Sequence, residues 1–279
     1  MNPGDLLLLP DPGYPDYLSG VSLGRVTYET FPLTAENDFL PDLDAIPEET
    51  ARRAKFIYIN YPNNPTGAVA TKAFYEKLVA WAKTYEVGVV SDLAYGALGY
   101  QGYENPSFLS TPGAKDVGIE FYTFSKTFNM AGWRLAFAAG NDQMIEALNL
   151  IQDHLFVGIF PALQEAGIAA LLDPKSEEAV AQLNATYDSR RDAFVQAAAK
   201  ISWQAFPSRG SFYAWMPVPE GYTSESFADL LLEKVHVAVA PGKGFGPAGD
   251  AYVRIGLLVE PERLVEAVNR IANLHLFNN

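Results

Sequence analysis

Cysteine is absent from all 279 residues, which excludes disulfides and thiolate metal sites and fits a reducing compartment. Histidine is scarce. His154, His236 and His275 are scattered, none at metal-ligand spacing from another, so each is expected to be structural or exposed and no metal centre is expected. Basic residues fall short of acidic ones, 20 against 33. The formal charge of −13 repels nucleic acid and anionic membrane, which argues against both as general partners. Long apolar runs are missing too. Leu6–Leu9 is too short for a signal-peptide core and follows no basic leader, and nothing elsewhere reaches the length of a membrane span. A cytoplasmic location is the default expectation. There is no internal repeat and no low-complexity tract.

What is present reads as an ordinary folded chain, 49% hydrophobic and 19% charged, long enough for one large domain or two smaller ones. Residues 55–60 form an apolar, strand-like run. Residues 71–86 follow with Phe74, Leu78, Trp81 and Tyr85 on one helical stripe. Strands are predicted again at 87–90, 120–124 and 135–139, and a helix at 142–151 with Asn141 as N-cap. This alternation predicts a mainly parallel sheet between helical layers, an α/β/α large domain over residues 1–180. After Asp173-Pro174 the texture changes. A long helix over 176–200 leads into strands at 211–216, 235–240 and 252–257. A last helix begins near Pro261, with Leu264, Val268, Ile271 and Leu274 as its stripe. These make a smaller C-terminal α+β domain over 181–279.

Three polar segments each follow a predicted strand: Asn60-Tyr-Pro-Asn-Asn64-Pro-Thr-Gly67, Ser91-Asp92-Leu-Ala-Tyr95 and Ser125-Lys126 through Arg134. They therefore converge at the carboxyl edge of the sheet, where open α/β sheets bind ligands. Lys126 offers an amine for an imine, and that amine could afterwards move a substrate proton. Asp92 offers a carboxylate that keeps a ring nitrogen protonated, and Arg134 a planar cation for a phosphate. Those are the groups that hold pyridoxal phosphate. Each also has a plain alternative: Lys126 a surface lysine, Asp92 an N-cap, Tyr95 a buried tyrosine, Asn64 a turn residue, Arg134 a surface ion pair. Arg254 lies inside the apolar strand Tyr-Val-Arg-Ile-Gly and needs a partner there; a substrate carboxylate would serve.

Two other motifs carry less. Pro241-Gly-Lys-Gly-Phe-Gly246 lacks the Gly-Lys-Ser/Thr order of an ATP phosphate loop. Asn184-Ala-Thr186 matches a glycosylation acceptor but falls in a helical stretch.

Taken together, these motifs resemble the class I/II, fold-type I aminotransferases, in the branch of aspartate and LL-diaminopimelate aminotransferases. The resemblance runs from Asn2-Pro-Gly-Asp and Pro10-Asp-Pro-Gly-Tyr14-Pro to Arg254. It implies that Lys126 is the Schiff-base lysine and that Asp92 meets the pyridine nitrogen. Asn64 and Tyr95 would meet the phenolic oxygen, Tyr14 would stack on the ring, and Thr123, Ser125 and Arg134 would hold the phosphate. Asn64 and Arg254 would bind the substrate. Position 123 is threonine where the family often has serine, and the hydroxyl is kept. The implied partners are an amino acid, a 2-oxo acid and a second subunit of a homodimer. Family members carry a further N-terminal portion with a glycine-rich phosphate turn and a tyrosine for the neighbouring site. The resemblance thus places Met1 inside the large domain and leads to the expectation of weak cofactor binding by these residues alone. A C–S lyase or decarboxylase on the same scaffold, a cofactor-sensing module without chemistry and an inactive remnant remain open alternatives.

Overall fold

The computed structural model describes residues 1–277. Its strands are β1 (Leu6–Asp11), β2 (Thr27–Pro32), β3 (Ala54–Asn60), β4 (Gly88–Asp92), β5 (Gly118–Thr123), β6 (Ala136–Gly140), β7 (Tyr213–Pro217), β8 (Ala240–Pro241) and β9 (Tyr252–Gly256). Its helices are α1 (Tyr17–Gly24), α2 (Glu48–Arg53), α3 (Lys72–Tyr85), α4 (Ala114–Val117) and α5 (Phe124–Thr127), then α6 (Asp142–Leu155), α7 (Pro161–Leu172), α8 (Ser176–Lys200), α9 (Ser224–Val235) and α10 (Pro261–Ala272).

Six strands form one sheet in the order β2-β1-β3-β4-β5-β6. Every neighbouring pair is parallel except β5 with β6. Strand residues alternate between the two faces. Leu6, Leu8, Ile57, Ile59 and Val89 pack with Phe74, Leu78 and Ala82 of α3 on one face. Leu7 and Leu9 pack with Val21 of α1 on the other. β1 is accordingly buried along its whole length, the usual state of a strand covered on both faces. The expected α/β architecture with a mainly parallel sheet between helical layers is what the chain forms.

The helix boundaries follow from local chemistry. Thr71 Oγ1 accepts the Phe74 amide at 3.1 Å and caps α3, and Asn141 caps α6 by accepting the Met144 amide at 3.3 Å. Pro261 occupies the first turn of α10, where a missing N–H is harmless.

A second, three-stranded antiparallel sheet has the order β7-β9-β8. Met216, Val253 and Leu257 of this region pack on Phe194 of α8, Phe227 and Leu231 of α9, and Val268 and Ile271 of α10. α8 also reaches towards the first sheet, because Tyr187 packs with Tyr95, Leu98 and Tyr100.

One expected strand is corrected. Residues 235–240 do not form it: α9 continues to Val235, His236 turns the chain with φ 56°, and only Ala240–Pro241 pairs with β9. Phe227, Ala228 and Leu231 bury at helical spacing, and that stripe draws Val235 into the helix. The strands β1 and β2 and the helices α7 and α9 were not anticipated.

Candidate active site

The strand order places a switch point beside β1, since the chain leaves β1 for β2 on one side and returns to β3 on the other. Crevices form at such points beyond the carboxyl ends of the strands. Tyr14 follows β1, Asn64 follows β3, Asp92 ends β4, and Lys126 lies just past β5. β6 runs antiparallel, so Arg134, two residues before its start, returns to the same edge.

The loop after β3 is held rigidly. Asn60 is buried and works in two directions. Its amide donates to the Asp92 carbonyl at 2.8 Å, and its side-chain oxygen accepts the Asn64 N–H at 2.8 Å. Asn63 accepts from the amide and the hydroxyl of Thr66. Gly67 has φ 73°, and a Cβ there would collide with the Ser208 side chain, whose hydroxyl donates to the Gly67 carbonyl at 3.1 Å. Only glycine suits both conditions.

Arg254 projects from β9 and joins the second sheet to this loop. Its Nη1 donates to Asn64 Oδ1 at 2.7 Å. The guanidinium carbon lies 4.1 Å from the Tyr213 ring centre and 4.6 Å from that of Phe245. Phe245 belongs to the glycine-rich run set aside above as a phosphate loop, here a 3-10 turn over Gly242–Phe245. The carbonyl of Phe245 accepts the Gly13 N–H at 2.8 Å, next to Tyr14.

Asp92 Oδ2 accepts the Tyr17 hydroxyl at 2.7 Å. Burial raises the Asp92 carboxyl above its ordinary range; the Tyr17 bond, the Ala94 N–H and Lys126 pull the other way. A turn and not a helix follows Asp92, so the N-cap named as its plain alternative has no helix to cap. Tyr14 donates to Asp16 at 2.6 Å and rests edge-on against the Tyr17 ring. Its hydroxyl is raised to about 12, by the Asp16 bond first and burial next. Burial pushes the Tyr95 hydroxyl far up as well, so it stays a donor.

The Lys126 amine sits 5.6 Å from the Phe212 ring centre and 6.0 Å from that of Tyr95. Burial lowers its pKa; Arg134 and then Arg254 push the same way, and Asp92 opposes them. Thr123 Oγ1 caps α5 by accepting the Ser125 N–H at 3.2 Å and donates to Ser125 Oγ at 2.9 Å. Arg134 is exposed, adopts φ 53° and donates to the Ala131 carbonyl at 3.0 Å. Among the described residues no ion pair uses Lys126, Arg134 or Arg254.

Tyr14, Asn64, Asp92, Tyr95, Lys126 and Arg254 thus meet through direct contacts or shared neighbours, whereas the hydrogen bonds of Thr123 and Ser125 run to each other and to Leu135, and that of Arg134 to Ala131. Tyr17, Asn60, Tyr213 and Phe245 escaped sequence reasoning. A polar residue closing the apolar run Ile57-Tyr-Ile-Asn60 was a usable signal for Asn60. The contacts of Tyr213 and Phe245 depend on chain crossings that no local pattern encodes. Of the histidines, His154 lies on the surface of α6 and His236 ends α9, and no group of metal-ligating side chains occurs among the described residues. Asn184 donates to the Ala97 carbonyl at 2.7 Å from within α8. No helix among the described residues is long and apolar enough to cross a membrane.

Residues 1–271 match the model of the family described as aminotransferase class I and II. The L-glutamine--4-(methylsulfanyl)-2-oxobutanoate aminotransferase of Bacillus subtilis is 56% identical over 277 residues, covering 99% of this chain and 69% of its own length. The LL-diaminopimelate aminotransferase of Moorella thermoacetica is 49% identical over 271 residues, again 69% of its length. Among solved structures, substrate-bound BacF of Bacillus subtilis superposes with a TM-score of 0.94 at 46% identity, over 100% of this chain and 71% of that one. An aminotransferase of Staphylococcus aureus gives 0.95 at 40% identity, over 100% and 73%.

Proposed function

The chain belongs to the class I and II aminotransferases, and from that premise we propose which of its side chains carry the reaction. The family's activity is transfer of an amino group between an amino acid and a 2-oxo acid with pyridoxal phosphate, and it is the activity of this chain. Bound there, the cofactor supplies an aldehyde that takes up the amino group and a ring that accepts the electron pair left when the substrate Cα loses its proton.

The donor set fits that group. Lys126 carries the reading: it is an amine with lowered proton affinity, free of acid partners among the described residues, facing two aromatic rings. A larger fraction of it is neutral near pH 7 than for an ordinary lysine, as a nucleophile and a proton carrier require. Asp92, with one oxygen taken by Tyr17, turns the other to the ring nitrogen. Asn64 gives its side-chain oxygen to Arg254, which leaves its Nδ2 to donate to the phenolic oxygen beside the Tyr95 hydroxyl. Thr123, Ser125 and Arg134 bind the phosphate, and Tyr14 covers the ring. Arg254 keeps its remaining N–H groups for the substrate carboxylate.

The chain divides, in this reading, into a cofactor domain over 1–180 and a smaller domain over 181–279. A cytoplasmic location and a homodimer complete it. In support of assembly, Leu155, Phe156 and Phe160 are 69–70% exposed where the chain passes from α6 to α7, and large exposed apolar side chains are a mark of interaction surfaces.

The test is an absorbance spectrum of the protein with added pyridoxal phosphate, titration with amino acids, and product analysis with and without a 2-oxo acid. Borohydride reduction followed by peptide mapping should label Lys126. Product formation independent of the 2-oxo acid would point to lyase or decarboxylase chemistry instead. Labelling at Lys115 or Lys243 would remove the assignment of the lysine.

A further inference from the structure

Tyr17 has no role in the scheme above, yet it touches two of its members. It opens α1, and its hydroxyl crosses to the end of β4 to donate to Asp92 Oδ2 at 2.7 Å. Its ring meets Tyr14 edge-on at 5.6 Å and Tyr58 at 5.2 Å, so it is held from both sides. We propose that Tyr17 is a positioning residue for the cofactor ring: by occupying Asp92 Oδ2 it fixes the carboxylate plane and leaves only Oδ1 to face the ring nitrogen, while its ring sets the pose of Tyr14 above the same ring. This rests on the placement of Asp92 and Tyr14 proposed above.

Three observations support it. A carboxylate without a partner rotates about its last bond; the 2.7 Å bond from the Tyr17 hydroxyl to Oδ2, made by a ring itself held between Tyr14 and Tyr58, restrains that rotation. Tyr17 is half-buried, and burial together with the neighbouring Asp92 holds its proton far above the ordinary tyrosine range, so at working pH it donates and never competes as an anion. The two tyrosines stand three residues apart, Tyr14 and Tyr17, so one short segment presents both the stacking ring and the hydrogen bond. Facing Asp92 are Tyr14 and Tyr17 from the segment after β1, Tyr58 from β3, Tyr95 from the turn after β4, and Lys126 from α5. Of these, only Lys126 is a cation.

The experiment uses the full chain with Tyr17→Phe, which keeps the ring and removes one oxygen, and Tyr58→Phe as a neighbouring phenol that should not matter. In cofactor-free protein, the Asp92 carboxyl is followed by carbon-13 NMR, its signal identified by its loss in Asp92→Asn. With Tyr17→Phe it should titrate at higher pH than in wild type, since the hydrogen bond favours the ionised form. In loaded protein kcat should fall about 10- to 100-fold, the size expected for one hydrogen bond to a charged group, with KM for the amino acid little changed. Tyr58→Phe should match wild type in both. An unmoved Asp92 titration with wild-type kcat in Tyr17→Phe, beside an inactive Asp92→Asn, overturns this inference alone. Wild-type turnover in Asp92→Asn overturns the placement of Asp92 and this inference with it. Equal effects of Tyr58→Phe and Tyr17→Phe would mean that general packing is responsible, and would also overturn it.

Discussion

Replacing Arg254 by lysine keeps the positive charge and removes the planar fork. In the structure the guanidinium is committed on three sides: Asn64 Oδ1 at 2.7 Å, and the rings of Tyr213 and Phe245 at 4.1 and 4.6 Å. Lysine can point one N–H at a carboxylate or at Asn64, but it cannot span both or stack flat between two rings. At least one charge-assisted hydrogen bond is lost, about 1.5–3 kcal/mol, which corresponds to a rise of roughly 10- to 150-fold in KM for the amino acid. Arg254→Met also removes the charge and should raise KM further. The assay is steady-state transamination at saturating 2-oxo acid, with the visible spectrum of the loaded protein as control. That spectrum should change little, because Arg254 is assigned to the substrate. The asparagine gives a second check. Once Arg254 no longer orients its amide, Asn64 can flip, so a small spectral shift is expected and should be smaller in Arg254→Lys than in Arg254→Met. An unchanged KM in Arg254→Lys, or wild-type reactivity towards primary amines lacking a carboxylate, would refute the reasoning.

Arg134→Met removes a like charge near Lys126, so the pH at which the Lys126 amine loses its proton should rise towards the ordinary lysine value; the pH profile of amine acylation at Lys126 in cofactor-free protein measures it, and an unmoved profile would show that Arg134 is too distant to matter. Asn60→Ala leaves the Asp92 carbonyl and the Asn64 N–H without their partner, two bonds worth about 0.5–1.5 kcal/mol each, and urea unfolding should report a loss of about 1–3 kcal/mol together with weakened turnover. Asp92→Asn should stabilise cofactor-free protein at neutral pH while abolishing turnover. The Asp92 carboxyl is raised in the folded state, so the cost of ionising it is absent in acid and appears as pH climbs through its folded value; the stability gain should therefore vanish below the ordinary carboxylate range, and equal melting temperatures at all pH values would contradict it.

Strands β3 to β6 were legible because they read as short apolar runs and α3 between them carries a clear stripe, whereas β1, buried along its whole length, and the exposed β2 were not. The candidate site was legible for a related reason: strand ends in an open α/β sheet must face a crevice, so Asn64, Asp92 and Lys126 had a shared address before any coordinate was known. What failed was what depends on distance in sequence. Val235 belongs to a helix because of residues four to eight positions earlier, although its own neighbourhood, Val-His-Val-Ala-Val, reads as alternating strand. The glycine-rich run 241–246 was judged only as a phosphate loop. Its actual contribution, a phenyl ring on Arg254 and a carbonyl on Gly13, requires two elements of the small sheet and the end of β1 to meet. Tyr17 was invisible because its partner lies 75 residues away.

The electrostatics of the site run against those of the whole chain. With a net charge of −13 there are more than enough acids to neutralise every cation, and eight lysines and arginines elsewhere do form ion pairs. Among the described residues the other twelve of the twenty form none, Lys126, Arg134 and Arg254 among them; what sets these three apart is that both arginines lower the proton affinity of Lys126. Such mutual repulsion costs stability and would be relieved by any acidic side chain nearby, yet Asp92 is the one that reaches Lys126, and it is held back by Tyr17 and by the backbone. The arrangement makes sense if the relieving charges come from outside. A phosphate set near Arg134 and a carboxylate set on Arg254 would turn repulsion among the three cations into attraction, and both are groups that the family's cofactor and substrates carry. The surrounding negative field then lowers non-specific anion binding elsewhere on the surface, so a small anion meets net attraction where several unpaired cations act on one another.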